Sequence, residues 1–167
     1  MKLLCTGGLD GSVSAMTSHQ SKLVVGGSFT VVIDSSASVH QCSGLAQWDP
    51  TTSQWGAVGS FGSSLPSGSS VSALVAINQT HLVVGGRFSH AGGLNANHVA
   101  IFKGVLGANG SESNEWETLG GGVGGGYVTS LAVAGEKSSL VYVGGTFSSV
   151  YSAAALPGGG TGEKSYR

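Results

Sequence analysis

The chain has 167 residues, a formal charge of −1, 9% charged residues and 30 glycines. That length allows one ordinary domain with a real core; so much glycine without a three-residue period excludes collagen, and the apolar runs between the glycines argue against a disordered linker. Basic residues are scattered and no stretch approaches a membrane span, which removes the electrostatic footprint for nucleic acid or an anionic membrane surface and leaves a turn-rich β protein.

In chain order, the opening MKLLC turns polar at Thr6, too early for the apolar region of a signal peptide. Cys5 and Cys42 fit either one disulfide or two free buried thiols. SVSAM at 12–16 alternates without charge, as a half-buried strand does. It is followed by LVVGGSF at 23–29, GLAQWDP at 44–50, and a fourth apolar segment around Trp55 in SQWGAVG. These four predicted strands are designated a, b, c and d. The same order returns as SVSAL at 70–74, LVVGGRF at 82–88, HVAIFKG at 98–104 and the segment around Trp116 in NEWETLG. A third round begins with YVTSL at 127–131 and VYVGGTF at 141–147; similarity then stops, with AAAL at 153–156 read as a degraded strand c.

The double glycines begin at Gly26, Gly85 and Gly144, a constant step of 59 residues (26 to 85, 85 to 144). A fixed period of that size signals a repeat architecture, and four short strands per unit joined by tight turns read as blades of a β-propeller. The predicted fold is therefore all-β: a partial β-propeller with two nearly complete four-stranded blades flanked by partial blades. Residues 1–11 are assigned to the last strand of a preceding blade, 12–69 to blade 1, 70–126 to blade 2, 127–156 to the first half of blade 3 and 157–167 to a disordered tail. The glycine pairs Gly26–Gly27, Gly85–Gly86 and Gly144–Gly145 are expected to permit both close backbone approach and positive φ beside the propeller axis. Phe29, Phe88 and Phe147 should return a ring to the seams between blades, and Trp48, Trp55 and Trp116 should pack likewise.

Reaction chemistry is sparse. The G-x-G-x-x-G pattern at Gly120, Gly122 and Gly125 precedes a strand, so the helix dipole of a phosphate site is missing. His81, His90 and His98 match no zinc spacing and fall on a strand start, a loop and another strand start. The sialidase aspartate box is absent, no copper-oxidase motif is formed, and Asp10, Asp34 and Asp49 belong to a turn, a loop and the WDP segment. No catalytic residue, metal or cofactor is assigned.

Two glycosylation triplets stand at Asn78 (NQT) and Asn109 (NGS). Because the strands alternate direction, both fall on the face of the a–b and c–d loops. The b–c and d–a loops share the opposite face, which is the candidate surface for protein or glycan partners, with Asp34, His40, His90, Asn95 and Asn97 as its candidate residues. Open blade edges predict self-association when the chain is expressed alone.

VVGGSF followed by WDPTTSQW, with six residues between Trp48 and Trp55, resembles the kelch repeat; the second unit departs from it, with thirteen residues between Phe102 and Trp116. The longer pattern VVGGRFSHAGGLNANHVAIFKG followed by WETLGGGVGGGYVTSLAV is more similar to the extracellular propeller repeats of fungal bud-site cortical marker proteins. The resemblance spans about residues 3 to 147 and implies a large, glycosylated, membrane-anchored surface protein involved in polarity, with no established enzymatic activity. On it, this chain is expected to be a piece of an extracellular ectodomain, apart from its signal peptide and anchor. The alternative from another class is a fragment of a carbohydrate-active propeller enzyme whose catalytic residues lie in other blades.

Overall fold

The first hairpin turns on Gln20 and Ser21, both at positive φ (51° and 60°). That is the mirror-image two-residue turn, whose twist matches that of paired strands. The computed structural model describes residues 8–34, 36–61, 66–104, 106, 115–134, 140–151 and 163–164. In the first repeat the strands are β1 (Gly8–Leu9), β2 (Val13–His19), β3 (Lys22–Gly27), β4 (Val31–Ile33), β5 (Val39–Gln41), β6 (Leu45–Asp49) and β7 (Gln54–Ala57). The second holds β8 (Ser70–Ala76), β9 (His81–Arg87), β10 (His90–Ala91), β11 (Leu94–Asn95), β12 (Val99–Lys103) and β13 (Glu115–Thr118). The third holds β14 (Gly122–Gly124), β15 (Tyr127–Ala134), β16 (Leu140–Thr146), β17 (Ser149–Tyr151) and β18 (Glu163–Lys164).

The large sheets run β2-β3-β6-β7 and β8-β9-β12-β13, each an antiparallel a-b-c-d meander, and β15-β16 form an a-b pair. The fold is thus a partial β-propeller with two four-stranded blades and flanking partial ones. Strands c and d bring the paired aromatics directly opposite each other, Trp48 to Trp55 and Phe102 to Trp116. Their ring centroids lie 5.3 Å apart in both blades. The longer second spacing therefore leaves the cross-strand pair intact, the extra residues lying in the c–d connection.

Apolar residues of strands b and c point alternately to the two seams. Between blades 1 and 2, Val24 and Leu45 meet Val71, Leu82, Val84, Phe88, Ala100, Phe102 and Trp116, all buried. Phe61, from the d–a connection, fills this seam with its ring 5.0 Å from Trp116 and 5.2 Å from Phe88. Between blades 2 and 3, Val83, Val99, Val123 and Val128 are buried, with Phe147, Val141 and Val143 partly buried against them. Phe29 packs on the other side of blade 1 with Val25, Val32, Cys42 and Ala46, under Leu9 and Trp55.

The double glycines need room, not a left-handed backbone. None of the six glycines has positive φ, which corrects that half of the expectation; all lie inside strand b. A Cβ on Gly85 would stand 2.6 Å from Val128 Cγ1 and 3.2 Å from Leu131 Cδ1 of the next blade, and one on Gly26 would overlap Val71. The second glycine of each pair meets backbone: Gly27 faces Ser12 O, Gly86 faces Ser70 O and Gly145 faces Tyr127 O. In each blade strand a shifts register there, between Val13 and Ala15, Val71 and Ala73, and Val128 and Ser130. A bulge in strand a thus presses on a glycine in strand b.

Of residues 157–167, expected to form a disordered tail, only Glu163–Lys164 lie among the described residues. Glu163–Lys164 pair with Val150–Tyr151 as β18, the place that β5 occupies beside β4 in the first repeat. AAAL at 153–156, read as strand c, lies outside the described residues.

Candidate functional site

The b–c and d–a connections meet at one end of the sheets and pair with one another. Gly8–Leu9 bond to Val32–Ile33, and Gly122–Gly124 bond to Ser149–Tyr151. In the second repeat the Asn97 amide Nδ2 donates to Gly121 O (2.8 Å), and Val123 N donates to Asn97 O (2.9 Å). These loop segments are therefore tied to neighbours by hydrogen bonds that satisfy backbone groups otherwise in need of water. The result is a fixed platform rather than a set of loose tips.

Of the five residues expected to face a partner, the structure places all on this end but gives them different surroundings. Asp34 is 5% exposed. Its Oδ1 accepts from Ser36 N (2.9 Å), Ser36 Oγ (2.6 Å) and Ser38 N (2.9 Å), and its Oδ2 lies 3.1 Å from His40 Nε2. The Ser36 hydroxyl first, and then His40, hold its carboxyl far below the usual carboxylate range. Asp34 therefore organises its own loop as an Asx turn. Asn97, half-buried at φ 43°, ties two loops together. His40 and His90 are half-buried, the latter with its Nδ1 2.8 Å from Ser89 Oγ, while Asn95 is exposed on β11.

Three further residues do related work: Asp10 and His98, weighed in the sequence only as reaction chemistry, and Arg87, which was not singled out. Asp10 Oδ1 accepts from Thr30 N (2.7 Å) and Val31 N (2.9 Å) and its Oδ2 from Thr30 Oγ1 (2.5 Å), locking the d–a loop to the start of the first b–c loop. His98 sits at φ 76° with its N–H donating to Phe88 O (2.8 Å) and its Nδ1 accepting from Phe88 N (3.3 Å). Arg87 lies 5.0 Å over the Tyr127 ring, joining blades 2 and 3 at this end. An acid in a turn and a histidine before a strand are common, so neither carried a distinguishing sequence signal.

Beside exposed polar residues, the platform presents a set of apolar side chains to solvent. Ile33 and Val39 on β4 and β5, Leu94 on β11, and Val150 and Tyr151 on β17 are all exposed, Val39 by 61%. The equivalent hairpin of every repeat contributes at least one. A cavity of ≈ 200 Å³ also opens here, lined by residues that include Cys42, Leu45, Val58 and Phe61. Cys42 is a free thiol pushed up to about 11 by burial, which leaves it protonated and unreactive; Cys5 lies outside the described residues.

At the opposite end, Asn78 is exposed in the a–b turn of blade 2, where its Oδ1 accepts from Thr80 N (2.8 Å), Thr80 Oγ1 (3.0 Å) and His81 N (2.9 Å). Asn109 lies outside the described residues. Here Gln20 joins blades 1 and 2: its Nε2 donates to Gln79 O and Gly104 O (2.7 Å each), and its Oε1 accepts from Leu106 N (2.8 Å). These bonds offset the cost of a non-glycine residue in the left-handed region, about 1–2 kcal/mol. His81 belongs to this end while His90 and His98 belong to the platform, so the three histidines do not converge. Among the described residues no group of three or more His, Cys, Asp or Glu could hold a metal ion, and no helix is long and apolar enough to cross a membrane.

Comparison with known families accords with this architecture. The family model described as the Rax2 C-terminal beta propeller domain matches residues 2–103, more than half of the chain. The chain belongs to the Rax2 C-terminal β-propeller family. That match covers blade 1, strands a to c of blade 2 and the part of the blade 1–2 seam that they form. No curated protein and no solved structure matches the chain.

Proposed function

We propose that the chain is a non-enzymatic interaction module, part of a cell-surface propeller of the polarity-related Rax2 type, which presents its b–c and d–a loop face to a protein or glycan partner. The observation that carries this reading is the recurrence of exposed apolar side chains, Ile33, Val39, Leu94, Val150 and Tyr151, on a backbone-tied platform. Exposed apolar groups on rigid supports favour association because they lose little conformational freedom on binding. His40, His90 and Asn95 would supply the polar rim, and the apolar content favours a protein over a carbohydrate, which is usually gripped by flat aromatic rings. Asn78, exposed at the other end, would carry a glycan away from this face. The cell-surface location follows from the family resemblance.

The test replaces Val39, Leu94 or Gln79 with a photo-crosslinking residue and exposes the protein to intact cells of its own source. Crosslinks to one and the same surface partner from Val39 and Leu94, and none from Gln79 in the opposite loops, are expected. Crosslinking from Gln79 alone, or a substrate turnover lost on His98→Ala, would overturn the reading.

A further inference from the structure

The a–b turns of the first two blades differ in length and lean on each other. Blade 1 turns over two residues, Gln20–Ser21, between β2 and β3, whereas blade 2 turns over four, Ile77–Thr80, between β8 and β9. Gln20 crosses the seam to donate to Gln79 O and Gly104 O. Beside this bridge lies a groove of ≈ 390 Å³, walled by Ser18, Gln20 and Ser21 of blade 1 and by Ile77, Asn78 and Gln79 of blade 2. That volume falls within the range of sites that hold a small molecule, about 300–1,000 Å³. The lining is mixed: Ser18, Ser21 and Gln79 are exposed polar residues, whereas Ile77 and the adjoining Ala76 are half-buried apolar ones.

Asn78 lines the groove with one side of its amide fixed and the other free. Its Oδ1 accepts from two backbone donors, Thr80 N (2.8 Å) and His81 N (2.9 Å), and from Thr80 Oγ1 (3.0 Å). With the oxygen held inside the turn, Nδ2 on the opposite side of the planar amide points out of it, and it makes no hydrogen bond among the described residues. Asn78, Gln79 and Thr80 form the triplet that accepts an N-linked glycan through that nitrogen. A sugar attached there is tethered at the groove, so its local concentration is high and it loses little freedom on settling in. N-acetylglucosamine suits the lining, with hydroxyls for Ser18, Ser21 and Gln79 and an acetyl methyl for Ala76 and Ile77.

We infer that this groove seats the first N-acetylglucosamine of a glycan on Asn78, and that the sugar clamps the a–b turns of blades 1 and 2 and shields the Gln20 bonds from water. Such a glycan requires passage through the secretory pathway, and to that extent the clamp rests on the cell-surface reading above; the loop face takes no part in it. Attachment joins Asn78 Nδ2 to the anomeric carbon of an oligosaccharide carried on a lipid pyrophosphate. The anomeric C–O bond breaks, the lipid pyrophosphate leaves with its electron pair, and Nδ2 gives up one proton to solvent.

The test secretes the full chain from a yeast host behind a cleavable leader, with Ser111→Ala to silence the triplet at Asn109, and trims it with an endoglycosidase that leaves a single N-acetylglucosamine. The comparison chain carries Asn78→Asp, which keeps an Oδ1 acceptor for the turn and takes no glycan. Expected are the mass of the sugar at Asn78 and nuclear Overhauser contacts from its acetyl methyl to Ala76 or Ile77. Amide exchange at Gly104 and Leu106, whose N–H groups bond Thr80 O and Gln20 Oε1, should slow at least about threefold, as strengthening of partly exposed hydrogen bonds gives. Ser18→Ile, which fills the groove from an exposed position on β2, should abolish the contacts and the slowing while Asn78 stays glycosylated. Should Asn78→Asp unsettle the turn, the glycosylated Ser18→Ile chain is the reference. An unmodified Asn78 in the secreted chain overturns the clamp, and so does a sugar without contacts to either turn that leaves exchange unchanged. Because the leader imposes secretion and crosslinking from Val39 should be the same with and without the sugar, a failed clamp is distinguished from a failed loop-face partner.

Discussion

Strands β9 and β16 carry nearly the same words, HLVVGGR and LVYVGGT, yet differ in burial from end to end. Leu82 through Gly86 are all buried, whereas β16 has Leu140 and Tyr142 each 55% exposed and no residue fully buried. Both pair with a strand a across the same bulge. The difference is the company they keep: β9 has strand c on its outer edge and a blade on either side, whereas among the described residues β16 pairs with β15 alone and packs against blade 2. The motif supplies a strand that can be buried; its neighbours decide whether it is.

Opening the buried seam around β9 should have the largest effect. Phe102→Ala leaves a cavity among Leu82, Phe88 and Trp116 and should cost about 3–5 kcal/mol, read by urea denaturation; Tyr142→Ala in blade 3 should cost less than about 1 kcal/mol, as exposed positions do. Next come the glycines. Gly85→Ala drives a methyl against Val128 and Leu131 and should cost about 1–3 kcal/mol, while Gly144→Ala meets only the Ser130 hydroxyl and should stay within about 1 kcal/mol. Gln20→Ala removes a donor to two carbonyls and the acceptor of Leu106 N–H, and about 1–2 kcal/mol should be lost, with faster exchange at Leu106.

Acidification should bring the smallest change. Burial first, with His81 second, holds His19 below its ordinary value of 6.5. Burial first, with Arg87 second, does the same for His98. A lowered imidazole pKa means the unfolded chain takes the proton more readily, so stability is complete above 6.5 and declines as pH falls through and below it. Stability measured from pH 7.5 downward should therefore decline, and His98→Gln should flatten part of the decline. Exchange in β15-β16, which has no described histidine, should respond least.

Much of this fold was legible from spacing alone. The period of the double glycines and the alternation in SVSAM and SVSAL specify strands a and b, and the aromatic pairs specify strands c and d, because burial on both seams selects those residue types. What was not legible depends on contacts far apart in the chain. Nothing about Gln20 announces that its amide reaches Gln79 and Gly104, and Asp34 looks like an exposed loop acid until the Ser36 and Ser38 bonds enclose it. The glycines were read correctly as sites of close approach, but their left-handed backbone was a habit of turns carried into a strand. The platform of exposed Ile33, Val39, Leu94, Val150 and Tyr151 was hidden because an apolar residue in a β sequence is ordinarily assigned to the core.

The most direct test of this account is residue-resolved hydrogen exchange on the full chain in dilute solution, comparing Leu82 and Val84 with Val141 and Val143. The account predicts strong protection of the first pair and fast exchange of the second, with Tyr142 and Gly144 protected by their bonds to β15. Equal protection of the two pairs would mean that strand c covers both edges, and the contrast between closed and open blades would be wrong.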